Sequence, residues 1–133
     1  MNKTVEMQPW ITLFQTPGGD EEVTEVLQNA EQWLDTSGHE LAVVGANILD
    51  FTPTSGTVSL LLEATDELEG QAWKTVESFT QATRTTIKML SDAPTDYKYR
   101  LRRWLRWRID NPESDSVAWQ TTFAVTAMLK NRR

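Results

Sequence analysis

The chain contains no cysteine and only one histidine, His39, among its 133 residues. The first absence excludes a disulfide framework and any thiolate metal site. The second leaves no set of imidazoles from which a zinc centre could be built. Long apolar runs are missing as well. Nothing approaches the ~20 residues that a membrane-spanning helix needs, and the opening "MNKTVEMQPW" lacks the apolar centre of a signal peptide. These absences fit synthesis in a reducing compartment and argue against a membrane partner.

Catalytic signatures are equally sparse. Gly18 and Gly19 in "TPGGD" are followed by neither a lysine nor a helical pattern, so they read as a turn and not as a phosphate cradle. No G-x-S-x-G occurs that could present a serine nucleophile. The run "DELE", Asp66 to Glu69, could meet a hard cation, but it lacks the spacing and glycine of a calcium loop and reads as a solvated acidic loop. His39 in "TSGHEL" reads as a surface turn residue. The expectation is a protein that is not an enzyme and uses no cofactor or metal.

What the chain does have is charge, unevenly placed. Up to Thr83 it carries fourteen acidic and two basic residues, a balance of −12; from Arg84 onward five acidic and eleven basic, a balance of +6. A general nucleic-acid surface needs a concentrated basic footprint without that acidic half, so nucleic acid is an unlikely partner. The split favours charge pairing across a sheet or head-to-tail contact between copies, which puts a homo-oligomer among the expected partners.

The densest basic stretch is "YKYRLRRWLRWRID", Tyr97 to Asp110, with six arginines or lysines and four aromatics. Its odd positions are mostly apolar (Tyr97, Tyr99, Leu101, Leu105, Trp107, Ile109) and its even positions mostly basic. Successive side chains on a strand point to opposite faces, so the pattern predicts a half-buried strand over 97–109. Arg100, Arg102, Trp104, Arg106 and Arg108 would then face outward as an interaction face. Trp and Arg are the residue types enriched in binding hot spots. Trp104 could equally be a surface indole covered by arginine.

The same alternation runs from Val117 to Lys130, with Val117, Trp119, Thr121, Phe123, Val125, Ala127 and Leu129 on one face. The turn formers "NPESDS" separate the two runs, which predicts an antiparallel hairpin. Further strands are expected at Pro9–Gln15, Leu41–Phe51, Thr57–Ala64, Ala72–Thr80 and Thr85–Leu90. Gly45 suggests a bulge or a close backbone approach, and Pro9 a strand start or a sheet edge. Between Glu21 and Asp35 two readings stay open. Val23, Val26, Leu27, Ala30, Trp33 and Leu34 fall at helical spacing, which would give a short helix near 21–34, yet "VTEV" reads equally as a strand. The fold class is therefore all-β, a single antiparallel β-sandwich domain of about seven or eight strands over residues 1–133, jelly-roll-like, with 1–8 and 130–133 as tails and "KNRR" a frayed basic end.

The order of these segments resembles a known group. "WLDTSGHELAVVGANILDF" leads into "TVSLLLEATDELEGQAWKTVESFT", then "YRLRRWLRWRID", then the closing "WQTTFAVTAMLK". This series is similar to small β-sandwich proteins encoded among the virion structural genes of tailed bacteriophages and prophages. Those carry a strand of the type "LEAT-D-L--W-TV-SF", then "--YLRWRV", then a last strand ending near "F-VT--LK". The likeness spans Trp33 to Lys130, three quarters of the chain, and lies in the order of strand and turn patterns, none of which is a chemical signature. It implies a jelly-roll-like virion component that decorates a capsid, accompanies a fibre or joins other capsid or tail proteins, made in the bacterial host cytoplasm. It also implies extended chain at Trp33 to Asp35. The extra arginines of "YRLRRWLRWRID" depart from the plain type. The alternative function is a carbohydrate-binding module presenting Trp104 to a sugar; a weaker option is a single-stranded nucleic-acid grip along the arginine strand.

Overall fold

The computed structural model describes residues 2–15, 25–52, 58–67, 72–79, 84–86, 89–111 and 119–132. They form an antiparallel β-sandwich. In chain order the strands are β1 (Asn2–Gln15), β2 (Glu25–Leu27), β3 (Leu34–Asp35), β4 (His39–Thr52), β5 (Ser59–Thr65), β6 (Lys74–Phe79), β7 (Arg84–Thr86), β8 (Leu90–Ser91), β9 (Trp104–Asp110) and β10 (Trp119–Asn131). One sheet has the order β1-β10-β4-β7, with β8 also on β4; the other has the order β2-β9-β5-β6, with β3 also on β9. We call these the long-strand sheet and the arginine sheet. The strands beyond the seven or eight expected are two- and three-residue edge pieces, too short to show alternation.

Alternation places the core as expected. Ala42, Val44, Ala46 and Ile48 of β4, Leu60 and Leu62 of β5, Leu105, Trp107 and Ile109 of β9, and Phe123, Val125, Ala127 and Leu129 of β10 are all buried in one cluster. Trp107 of the arginine sheet meets Phe123 of the long-strand sheet edge-on, ring centroids 5.0 Å apart. Its indole N–H donates to Gln8 Oε1 of β1 at 3.1 Å, so this core indole keeps its one polar atom satisfied.

Four expectations need correction. The runs 97–109 and 117–130 do not form a hairpin: β9 lies in the arginine sheet and β10 in the long-strand sheet. Both present odd-numbered apolar faces, and those faces are buried against each other across the sandwich. The residues 112–118 that join them lie outside the described part of the chain. Second, the strand begins at Trp104 and not at Tyr97. Tyr97–Tyr99 forms a 3₁₀ turn capped by Asp96, whose Oδ1 accepts the Lys98 N–H at 3.1 Å. Leu101 then docks separately, donating its N–H to the Ser91 carbonyl at 2.8 Å.

Third, no helix spans the described part of 21–34. Glu25–Leu27 pairs with Arg108–Asp110, Ala30–Gln32 makes a single 3₁₀ turn, and Leu34–Asp35 pairs with Trp104–Leu105; residues 21–24 lie outside the described part. The open edge of β9 overrides local helix propensity here. Gln28 shows how. Its backbone N–H donates to the Trp107 carbonyl, its Oε1 accepts the Trp107 backbone N–H at 3.1 Å, and its Nε2 donates to the Met7 carbonyl at 2.7 Å. One buried amide thus fills the gap between β2 and β3 and ties the two sheets together.

Fourth, residues 2–8 and 130–132 are not tails. Asn2 to Glu6 pair with Lys130 to Thr126, and Arg132 donates its N–H to the Gly38 carbonyl and pairs with Asp92. Pro9 sits within the edge strand β1, where the register with β10 shifts between Gln8 and Ile11; a proline at that place interrupts only an edge. Gly45 lies in regular pairing opposite Thr126 and Thr86, and the irregularities of β4 against β10 fall at Glu40 and Leu49 instead.

Candidate functional site: the arginine strand and its cover

The outer face of β9 carries Trp104, Arg106 and Arg108, as alternation requires. What lies over it comes from the acidic half of the chain. Glu63 of β5 stands directly opposite Arg106 in the β5–β9 ladder. Its Oε1 accepts from Arg106 Nε and Nη2, both at 2.9 Å, and its Oε2 accepts from Arg108 Nε at 2.9 Å. The Glu63 side chain is 6% exposed and that of Arg106 9%, so this is a buried ion pair. Arg108 reaches on to Asp110 at 3.1 Å and Glu25 at 3.4 Å. Burial works against the Arg108 charge, but the hydrogen bond and charge of Glu63 outweigh it and hold the guanidinium more firmly protonated than usual.

Two tryptophans close over the pair. Trp73, just before β6, lies with its ring centroid 4.0 Å from the Arg106 guanidinium carbon, and Trp33, just before β3, at 5.4 Å. The two indoles meet each other edge-on at 4.9 Å. They approach from opposite edges of the sheet and join above its two central strands. Stacking on an indole face stabilises a cation by roughly 0.5–2 kcal/mol, more where water is excluded. Trp33 donates its indole N–H to the Gln28 carbonyl at 3.0 Å, whereas the buried Trp73 Nε1 has no acceptor among the described residues.

Arg100 and Arg102 lie before β9 and converge on one carboxylate oxygen, Asp66 Oδ2, each at 2.9 Å. Asp66 is partly buried, which raises its pKa; the Arg100 hydrogen bond and the charges of both arginines more than offset this and hold it below the ordinary carboxylate value. Arg103 pairs with Asp35 at 3.6 Å and places its guanidinium 5.2 Å from the Trp104 ring centroid. The expected outer face is therefore split. Arg106 is sealed under the Trp33–Trp73 cover, Arg108 and Trp104 are half-buried, and Arg100 and Arg102 line a separate cleft.

That cleft, of about 290 Å³, is bordered by Thr36, Gly38, His39, Asp66, Asp92, Arg100, Arg102, Arg103 and Arg132. Arg132 pairs there with Asp92 at 3.1 Å. His39 follows the Thr36–Gly38 turn, its N–H bonded to the Thr36 carbonyl, close to the surface turn position expected of it. Its chemistry is that of ion pairs already closed within the chain. Asp66, the first residue of the "DELE" run, is thus engaged by arginine; Leu68 and Glu69 lie outside the described part, and among the described residues no cluster could hold a metal ion.

The charge asymmetry now has a structural basis. Among the described residues, all ion pairs but Arg108–Asp110 and Arg132–Asp92 join an acid before Thr83 to a base after it. Residue spacing located the arginines but missed Glu63, Asp66, Trp33 and Trp73. A lone acid inside the apolar run "SLLLEA" was the available signal for Glu63, and it becomes legible only once β5 is placed beside β9.

The other outer face is different in kind. Facing residues of β10 and β1 alternate outward as Gln120 and Phe14, Thr122 and Thr12, Thr126 and Glu6, Met128 and Thr4. Trp10 is 57% exposed, Phe14 70%, Leu49 73%, Met89 51% and Met128 48%, all on strands of the long-strand sheet or next to them. Met89 and Met128 border a hollow of about 110 Å³ with Leu41 and Val43. Compared with known proteins, the chain matches no family model and no curated protein.

Proposed function

We propose that the chain is a non-enzymatic structural protein of a phage or prophage particle, binding other particle proteins through the outer face of its long-strand sheet. The observation that carries the binding surface is the exposure of Trp10, Phe14, Leu49, Met89 and Met128 around that one sheet. Large apolar side chains gathered on one face of a soluble fold mark an interaction surface, and methionine adapts readily to a partner's contour. The particle assignment is supported by the order of segments between Trp33 and Lys130. Arg103, more than half exposed, and the half-buried Trp104 remain at the rim of the opposite sheet for polar contact.

The test is recovery with purified particles from a host carrying the gene. The unaltered chain is expected to co-purify, and a Met89→Glu/Met128→Glu variant to fold yet be lost from particles. Absence of the unaltered chain from particles sinks the particle assignment, and normal incorporation of the double variant sinks the surface.

A further inference from the structure

The strand β1 is an edge strand: among the described residues it pairs with β10 alone. Its outer side therefore presents backbone N–H and C=O groups to whatever strand approaches, a feature that proteins ordinarily blunt with charge, proline or irregularity. The first half of β1 is blunted in that way, by Lys3, Glu6, the register shifts and Pro9. The second half is not. From Ile11 to Gln15 the register with β10 is unbroken, and "PWITLFQ" carries no charge.

From this edge we propose that two copies of the chain pair through β1, antiparallel, about a two-fold axis at Thr12. Symmetry fixes the contacts. Thr12 faces its own copy, Ile11 faces Leu13 of the second copy, Trp10 faces Phe14, and Pro9 faces Gln15. A two-fold contact must be self-complementary, and this register is so on both faces of the strand. On the outer face it sets Trp10 and Phe14, the two exposed aromatics of β1, side by side as cross-strand aromatic pairs. On the inner face it joins Ile11 and Leu13, which pack against the core while remaining partly exposed. Pro9, with no N–H to offer, ends the ladder at each end.

Neighbouring registers do worse. Centring on Leu13 leaves Trp10 beyond the ladder, and centring on Ile11 brings buried Gln8 opposite Phe14. Each aromatic side chain can bury ~150–250 Å², so four of them half-covered contribute on the order of 400 Å². With the paired backbone and the Ile11–Leu13 contacts the interface reaches the lower end of the ~1,000 Å² that specific association requires. The consequence is a micromolar dimer in which the two long-strand sheets run on as one, doubling the flat outer face. The inference stands on the open ladder and its symmetry, independent of the particle role.

Sedimentation equilibrium of the purified chain from roughly 1 to 200 µM brackets such an affinity. A discrete dimer at the upper end is expected. Thr12 is exposed, so Thr12→Lys keeps the fold but sets two ammonium groups opposite each other at the axis; it is expected to weaken association about tenfold or more. The chain has no cysteine, so Thr12→Cys should form a covalent dimer on mild oxidation, whereas Thr126→Cys, exposed on β10, should not. A monomer throughout, open-ended polymers, a dimer indifferent to Thr12→Lys, or equal cross-linking from both cysteine variants would each overturn the proposal. Should the lysine variant not fold, the cysteine pair decides. Loss from particles with the dimer intact sinks only the particle reading.

Discussion

The two outer faces of this sandwich solve the same problem in opposite ways. Over the arginine sheet, charge is concentrated and then closed in: Glu63 takes two guanidinium groups, and Trp33 and Trp73 meet above that of Arg106. Over the long-strand sheet, charge is scarce and apolar side chains stay in water, with Trp10, Phe14 and Leu49 each more than half exposed. The basic strand that stands out in the sequence is largely covered by its own chain, and the face that looks ordinary carries the exposed apolar side chains. A basic strand is informative about recognition only after its acidic partners within the chain have been located. Apolar exposure becomes visible only once the sheets are assembled.

Breaking the closed face should be costly. Glu63→Ala leaves the buried Arg106 guanidinium under an indole cover without its carboxylate, and stranding a buried charge in this way costs about 3–5 kcal/mol. Urea unfolding would show it as a fall in midpoint with the slope unchanged. Removing the cover costs less. Trp73→Ala loses the contact with Arg106 and the edge contact with Trp33, about 1–3 kcal/mol together. Trp73→Phe is expected to be near neutral, within about 0.5 kcal/mol, because it keeps a ring over Arg106 and removes a buried N–H that has no acceptor among the described residues. A phenylalanine variant as damaged as the alanine variant would show that the indole N–H has a partner after all.

The smallest effect concerns the exposed pairs. Asp35 and Asp66 are held below their ordinary 3.8 by arginine and backbone hydrogen bonds that outweigh burial, and Glu77 below its ordinary 4.5 by the Tyr99 hydroxyl and Lys98. A carboxylate whose folded value is depressed contributes its full stability above the unfolded value and loses it as pH falls through the folded one. The unfolding midpoint should therefore be flat from neutral pH to about 5 and decline below about 4.5. These groups are substantially exposed, so solvent screens the contribution, and Asp66→Asn should flatten the decline only slightly. A midpoint that rises on acidification would contradict the assignment.

How much of this was legible beforehand depends on the range of the signal. Period-two alternation is a property of one strand, and it identified the buried faces of β9 and β10 residue by residue. The partner of a strand is a property of the fold. The turn formers after Asp110 were compatible with a hairpin and with a crossing between sheets, and the chain crosses. Local propensity misled in the same way over 25–34, where the vacant edge of β9 draws in β2, Gln28 and β3. The paired charges were foreshadowed by the −12 and +6 halves, but not which acid meets which arginine. Trp33 and Trp73 gave no signal, because nothing in the 39 intervening residues places them above the same two strands.

The claim that the arginine strand is held by its own chain is tested most directly by a double-mutant cycle between Glu63 and Arg106, using Glu63→Ala, Arg106→Ala and the pair, each followed by urea unfolding. Contacting residues in one buried network couple by ~0.5–3 kcal/mol. The account predicts a coupling above about 1.5 kcal/mol, with the double variant more stable than the sum of the single losses implies. Simple additivity, to within about 0.3 kcal/mol, would contradict it and return Arg106 to the solvent.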